Sequence, residues 1–250
     1  MEFINLMDIR LTNLNQQELW SIIKGYLQSN HNHLIVTVNP EFILTAKKDK
    51  KFKDILNSAD LALPDGFGLI LAAAACGYKL KRHTGADLTE DLIKYAQKHN
   101  LPIAIINWQG GLLSRRELSL RLHQKYPHLN YLIEDIARSG ELGRRQTKRL
   151  ASFKPMIVFS TLGAPWQEYF LDKERHTWPS CRLMMGVGGS FDFILGSIKR
   201  APKIWRQLGL EWLWRLGQQP WRLKRIWRAV VVFSCQFLIW KLCPKKYKQN

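Results

Sequence analysis

Asp60-Leu-Ala-Leu-Pro64-Asp65-Gly66-Phe-Gly68 is the stretch on which the fold turns. Its apolar half reads as a buried strand, Pro64-Asp65-Gly66 as a tight turn, and the residues after the turn as the start of a small-residue helix through Leu71 to Cys76, stopped by Gly77. An acid on such a strand-to-helix turn stands at the mouth of an open sheet. The proline favours extended geometry before the turn and the glycine lets backbone come close to a ligand. Asp65 is therefore a candidate active-site carboxylate, although an Asp-Gly pair also makes an ordinary turn.

Upstream, Phe3 to Leu11 alternates like one strand, and Thr12 or Asn13 can cap a helix from Gln16 to Gln28 with Leu19, Ile22, Ile23 and Leu27 on one stripe. Leu34-Ile35-Val36-Thr37-Val38-Asn39-Pro40-Glu41 is a β-branched strand ending in an Asn cap with proline at the first helical position. Thr37 and Asn39 fall on one side of its carboxyl end, where open α/β sheets bind ligands, and Asn39 is equally a plain cap.

Downstream, Arg82-His83-Thr84-Gly85-Ala86-Asp87 is a polar loop opening a helix from Leu88 to His99. Thr84 or Asp87 can cap it, and a guanidinium at a glycine-containing helix start suits phosphate. Ile103–Asn107, Asn130–Glu134, Met156–Thr161 and Leu183–Val187 read as further strands, with helices over 112–125 and 143–153 between them. Glycine-bearing loops come after the last two strands, at Gly163 to Glu168 and Gly186 to Asp192. The second is not G-x-G-x-x-G and has no acidic ribose ligand at the expected distance, which argues against a nicotinamide site. Regular alternation of apolar strands with helices predicts an α/β fold: a Rossmann-like, mostly parallel sheet with helices on both faces.

The composition, 46% hydrophobic and 23% charged over 250 residues, is that of a folded globular chain. Its net charge of +18 is concentrated at one end. Residues 199–250 hold thirteen Lys and Arg against the lone acid Glu211, and six of the ten tryptophans. The chain thus divides into a catalytic α/β portion, 1–198, and a basic, Trp-rich helical appendage, 199–250. Within the appendage Arg215, Arg222, Arg225 and Arg228 are spaced to gather on one side if Pro220 only kinks a helix that begins near Lys203. Such a stripe wants an anion: a substrate diphosphate, anionic headgroups or nucleic acid.

Ala229 to Trp240 is apolar but shorter than the roughly 17–25 residues that span a bilayer. It suits an interfacial anchor with Lys241, Lys245 and Lys246 snorkelling outward, a helix packed on the protein's own core, or a surface covered by a second copy. The four cysteines show neither metal-ligand spacing nor a disulfide pattern, and no secretory signal is visible, so the expected location is cytoplasmic, at the inner face of the plasma membrane.

Taken in order, Thr37-Val38-Asn39-Pro40-Glu41, Pro64-Asp65-Gly66-x-Gly68, Arg82-x-Thr84-Gly85-x-Asp87, Gly163-x-Pro165-x-Gln167-Glu168, Gly186-Val187-Gly188-Gly189-x-Phe191-Asp192-Phe193, Arg200-Ala201-Pro202 and Leu210-Glu211-Trp212-Leu213-x-Arg215 closely resemble the WecG/TagA/CpsF glycosyltransferases, family 26 of that class. The resemblance implies an inverting, metal-independent, membrane-peripheral enzyme. It would move a sugar, N-acetylmannosamine-type or another hexose, from a UDP-sugar to a polyprenyl-diphosphate-linked acceptor in cell-surface polysaccharide or teichoic acid synthesis. It also implies that Gly66, Gly85, Asp87, Gly163, Glu168 and Arg200 contribute to substrate binding, and that Gly188, Gly189 and Asp192 belong to the nucleotide side, with Asp192 equally a helix cap. Lys81, His83 and Asn107-Trp108 depart from the family pattern near the expected donor pocket, and the apolar tail beyond Ala229 is longer.

An inverting transfer asks for one general base and for positive charge on the departing diphosphate. Asp65 is assigned as base, with Arg82 and the tail arginines Arg215, Arg222 and Arg225 on the diphosphate. Thr37, Asn39 and Gln167 would orient the sugar or the acceptor hydroxyl. No Asp-x-Asp pair offers to hold a divalent ion, so no metal and no cofactor beyond the donor substrate is expected. The rival readings are a non-catalytic basic membrane-surface protein and a nucleic-acid-binding module, whose charge would line a groove instead of flanking an apolar run.

Overall fold

The computed structural model describes residues 1–202, 204, 205 and 208–242. Lys203, the expected start of the appendage's first helix, and Lys245 and Lys246 lie outside the described residues.

Among the described residues there are eight strands: β1 (Glu2–Leu6), β2 (Ile9–Asn13), β3 (His33–Val38), β4 (Leu61–Pro64), β5 (Ile103–Trp108), β6 (Tyr131–Ile136), β7 (Ile157–Ser160) and β8 (Leu183–Gly186). The last six form one sheet in the order β4-β3-β8-β7-β5-β6, parallel at every ladder. Side chains alternate across it, as a strand's period of two requires. Val36, Ala62, Ala104, Val158 and Met184 pack on one face, and Ile35, Leu63, Ile105, Phe159 and Met185 on the other.

The first face is covered by α2 (Pro40–Ala46), α3 (Lys50–Ser58), α4 (Phe67–Ala75), α7 (Arg144–Phe153) and α8 (Trp166–Lys173). The second is covered by α1 (Gln16–Gln28), α5 (Gly85–Lys98), α6 (Arg115–Lys125) and α9 (Ser190–Ile194). All six strands thus direct their carboxyl ends, and the loops behind them, to one edge of the molecule.

The amino-terminal reading is corrected. Residues 3–11 are not one strand but the antiparallel hairpin β1–β2, reversing at Met7 and Asp8 with φ of 51° and 65°. Hairpin turns of this kind normally carry Asn-Gly or Asp-Gly, and Met-Asp gives no such signal. The hairpin lies beside the edge strand β4, where the Ala62 N–H donates to the buried Thr12 hydroxyl at 3.1 Å. Helix α1 is capped by Asn15, not by Thr12 or Asn13: Asn15 accepts from Gln17 and Glu18 N–H while Glu18 reaches back to the Asn15 N–H.

In the appendage, α10 (Glu211–Gln218) ends before Pro220, which opens a single 3₁₀ turn, Pro220–Arg222. The chain then runs helically through α11 (Leu223–Trp227), a π-type stretch (Arg228–Val232) and α12 (Phe233–Leu242). Phe233 and Phe237 are buried against α2 and α4, with the Phe233 ring against Gly68. Lys47 Nζ donates to Gln236 and Lys241 Nζ to the Ala75 carbonyl. One stripe of the apolar tail is therefore core, while Leu238, Ile239 and Leu242 face outward. Among the described residues no helix is long and apolar enough to cross a membrane.

Candidate active site

The site is built where β3 and β4 end side by side. Pro64 pairs with Val38, and the next N–H, of Asp65, donates to the Val38 carbonyl at 2.8 Å, extending the ladder by one bond before the chain turns. Gly66 comes next because nothing larger fits: a Cβ there would lie 2.3 Å from Pro40 Cδ, at the start of α2.

The polar loop brings Gly85 to the same spot. Its N–H, at the first turn of α5, donates to Asp65 Oδ2 at 3.2 Å, and a Cβ on it would meet Thr37 Oγ1 at 2.9 Å and Asp65 Oδ2 at 3.6 Å. Thr37, Asp65 and Gly85 are thus one cluster contributed by three elements.

Asp65 is neither walled off nor freely solvated, its side chain being 29% exposed. Burial raises its carboxyl to about 6, against the lowering effect of the Arg82 charge and the Gly85 N–H, while Glu211 and Asp87 push it further up. Arg82 donates Nε–H to the Asp65 carbonyl at 2.6 Å and holds Nη2 3.9 Å from Oδ1.

Asn39 caps α2, its Oδ1 accepting from Glu41 and Phe42 N–H, which leaves its amide N–H₂ as the group that can meet a ligand. Thr84 caps α5 and donates to Asp87, which also pairs with Arg200 Nη1 at 2.5 Å.

A second cluster forms at the ends of β7 and β8. Gly163 takes φ of 75°, and its carbonyl accepts from the Gln167 N–H. The side chain of Gln167 is hydrogen-bonded to Glu168 and Gly188, not to Asp65. It is buried and brackets the next loop, accepting from the Gly188 N–H at 2.9 Å and donating to Glu168 Oε1 at 2.7 Å. Gly186 gives it room, since a Cβ there would stand 2.5 Å from Gln167 Nε2. Glu168 is buried, and its carboxyl is pushed by desolvation to about 7. Gly188 has φ of 47°, and Gly189 passes close to Asp192 and Arg215, within 2.9 Å and 3.4 Å of where a Cβ would be.

The tail arginines gather here. Arg215 lies over the Phe193 ring at 4.5 Å and is pushed down to about 10, by burial first and then by Arg222 and Arg225. Burial and Arg225 likewise lower Arg222, while burial raises Asp192 against the pull of the two guanidinium groups. The Nε–H groups of Arg215 and Arg222 are buried with no hydrogen-bond partner among the described residues. Arg225 is fastened to Glu41, with Nη2 2.6 Å from Oε2. Clustered like charges with orphaned donors are costly unless an anion answers them.

Two residues, Glu211 and Arg138, escaped the sequence reading as site members, and a third that it named has a structural role. Glu211 joins Arg82 (3.3 Å) and lies 3.8 Å from Arg200 Nε, tying the appendage to the polar loop. Its signal was its solitude among thirteen basic residues. Arg138 stacks 3.6 Å over Trp108, close enough to Arg225 for its charge to be felt, and only tertiary structure brings these together. Asn107 is a structural tie, bonded to Asp135, Leu113 and Thr161.

A family model described as the Glycosyl transferase WecG/TagA/CpsF family matches residues 4–247. The chain is 33% identical over 206 residues, 81% of its length and 78% of the relative's, to the N-acetylglucosaminyldiphosphoundecaprenol N-acetyl-beta-D-mannosaminyltransferase of Bacillus subtilis strain 168. It is 32% identical over 203 residues, 80% and 77% of the two lengths, to the enzyme of the same description from Bacillus spizizenii.

Proposed function

This chain belongs to the WecG/TagA/CpsF glycosyltransferase family, and from that premise we propose that it is an inverting enzyme which transfers a hexose, N-acetylmannosamine-type or other, from a UDP-sugar to a polyprenyl-diphosphate-linked saccharide. The observation that carries the reading is the pairing of a poised, accessible carboxylate with a cluster of buried guanidinium groups: Asp65 at about 6, with Arg215 beside Gly189 and Arg222 near Asp192, both with Nε–H groups that have no hydrogen-bond partner among the described residues.

In the proposed step Asp65 takes the proton of the acceptor hydroxyl as that oxygen bonds to the anomeric carbon of the donor. The anomeric carbon to diphosphate-oxygen bond breaks, and UDP leaves with the electron pair from the opposite face. A base near 6 is ionised at neutral pH and still basic enough to accept a proton in the transition state. Arg215 and Arg222, with the Gly189 backbone, meet the charge that develops on the diphosphate. Gln167 acts on that loop from behind, through the Gly188 N–H, while Thr37 and the Asn39 amide flank the sugar.

The described residues contain no group of three or more His, Cys, Asp or Glu suited to a metal. The charge of the departing diphosphate falls to the guanidinium groups of Arg215 and Arg222 in this proposal.

The appendage is the proposed membrane contact. Trp221 and Trp227 are 72% and 59% exposed, and Leu238, Ile239 and Leu242 extend the apolar surface with Lys224, Arg228 and Lys241 along the same helical run. Aromatic and basic side chains together suit the anionic inner leaflet, where the lipid acceptor resides. Arg215 turned into the sheet-end site, and Glu211 bound to Arg82, support an enzyme over an adaptor that uses its basic tail alone. Measuring transfer from a panel of UDP-sugars to N-acetylglucosaminyl diphosphate carried on a polyprenyl chain tests the reading, and absence of transfer from every donor would overturn it.

A further inference from the structure

Beside Arg82 lies a cavity of about 430 Å³ that the donor machinery leaves unused. It is walled by Gln16 at the start of α1, Phe67 and Ile70 of α4, Arg82, and Asp87 and Asp91 of α5. Its size falls in the roughly 300–1,000 Å³ range of small-ligand sites.

Its place along the sheet is informative. The strand order puts β4 at the edge, then β3, then β8. Asp65 follows β4, Thr37 and Asn39 lie at the end of β3, and the glycine loop with its arginines comes after β8, while the cavity is walled by α1, α4, α5 and the loop that opens α5. Asp65 is not itself part of the lining but is joined to it on two sides: Arg82 lines the cavity while its Nε–H holds the Asp65 carbonyl, and Gly85, whose N–H donates to the Asp65 carboxylate, follows the lining residue Thr84.

The two sides differ in chemistry. The arginine cluster is cationic. The cavity sets two carboxylates and an amide against one guanidinium, over apolar surface from Phe67 and Ile70. That lining repels a diphosphate and suits a neutral, hydroxyl-rich ring, whose O–H groups donate to carboxylates and whose C–H face rests on apolar side chains. Arg200 is bonded to two residues of the lining, Asp87 and Thr84, which sets a second guanidinium next to the cavity for an anionic group attached to such a ring.

We propose that this cavity binds the pyranose of the lipid-linked acceptor, presenting its hydroxyl to Asp65 from the side opposite the departing diphosphate. The inference rests on the transferase reading but is tested by binding, which does not need turnover.

The probes are N-acetylglucosaminyl diphosphate bearing a short alkyl chain, for the cavity, and UDP, for the arginine cluster, each titrated against the full chain. Ile70→Trp fills the cavity, and Asp91→Asn removes one carboxylate with little change of shape. The expected result is probe binding weakened about tenfold or more by Ile70→Trp and severalfold by Asp91→Asn, with UDP binding within about twofold of the parent. Unchanged probe affinity in a folded Ile70→Trp protein would overturn the proposal, as would a parent chain that does not bind the probe. If Ile70→Trp lacks a cooperative melt, Asp91→Asn decides on the same criterion. Probe binding lost in the variants while the parent transfers no sugar refutes the reaction and keeps the cavity; normal probe binding and transfer in the variants does the reverse.

Discussion

Glu211 Oε2 lies 3.3 Å from Arg82 Nη2, so the only acid of the appendage is bonded to the arginine that touches Asp65. Both side chains are about four-fifths buried, at 21% and 22% exposure. Charge-assisted bonds in such settings contribute about 1.5–3 kcal/mol. Glu211→Ala is expected to loosen the appendage, raising protease sensitivity between α9 and α10 and lowering turnover on membrane-borne acceptor. Unchanged digestion and turnover would show that the contact is incidental.

The raised Asp65 carboxyl fixes the pH dependence. The base form exists above about 6, so kcat/KM should fall close to tenfold per unit as pH drops below that value and level off above it. Stability runs the other way. A carboxyl whose folded value is raised above 3.8 contributes no penalty at low pH and a growing one as pH climbs from 3.8 through 6. Asp65→Asn should therefore be more stable than the parent at pH 7, by roughly 1–3 kcal/mol, and equal to it below pH 4. Thermal melts at the two pH values check this.

Gly66 and Gly85 are spatial requirements. A methyl at Gly66 would sit 2.3 Å from the Pro40 ring, where backbone must shift, and one at Gly85 would sit 2.9 Å from Thr37 Oγ1. Gly66→Ala is expected to cost about 1–3 kcal/mol in denaturant melts. Gly85→Ala should lose activity more than stability, since it displaces Thr37 and the N–H that Asp65 holds; equal effects on both would contradict this.

Arg215→Ala removes a buried donor from the proposed diphosphate pocket and should lower kcat about 10²–10³-fold. Arg215→Lys is expected to recover little, because a point ammonium does not replace the planar fork stacked on Phe193. Full recovery by lysine would mean that only net charge matters there.

Trp227→Glu and Ile239→Glu place acids on the exposed face of the appendage. Flotation with anionic vesicles at moderate salt should fall severalfold while transfer to a detergent-dispersed acceptor persists. Undiminished flotation would remove this face from the membrane contact.

Much of this was legible in the residues. Apolar strands alternating with helices pointed to the parallel sheet, and the turn at Pro64-Asp65-Gly66 and the loop at Arg82 to Asp87 were found because glycine and proline punctuate them. Hidden were features that exist only in three dimensions. Met7-Asp8 turns with φ values that neither residue advertises. Gln167 reads like an orienting group, and its bonds to the Gly188 N–H and to Glu168 exist only in the folded chain. The apolar tail was ambiguous because it is two things at once: Phe233 and Phe237 are core, whereas Leu238 and Ile239 are surface. Arg138 and Trp108 meet across two strands and share no sequence pattern.

The most direct measurement is single-turnover transfer by Asp65→Asn with UDP-sugar bound and lipid-linked acceptor saturating. Asparagine keeps the shape and cannot take the proton, so donor affinity should stay within about twofold of the parent while the transfer rate drops by about 10²–10⁴. A rate near that of the parent, with donor bound normally, would show that another group accepts the proton and that Asp65 is not the base.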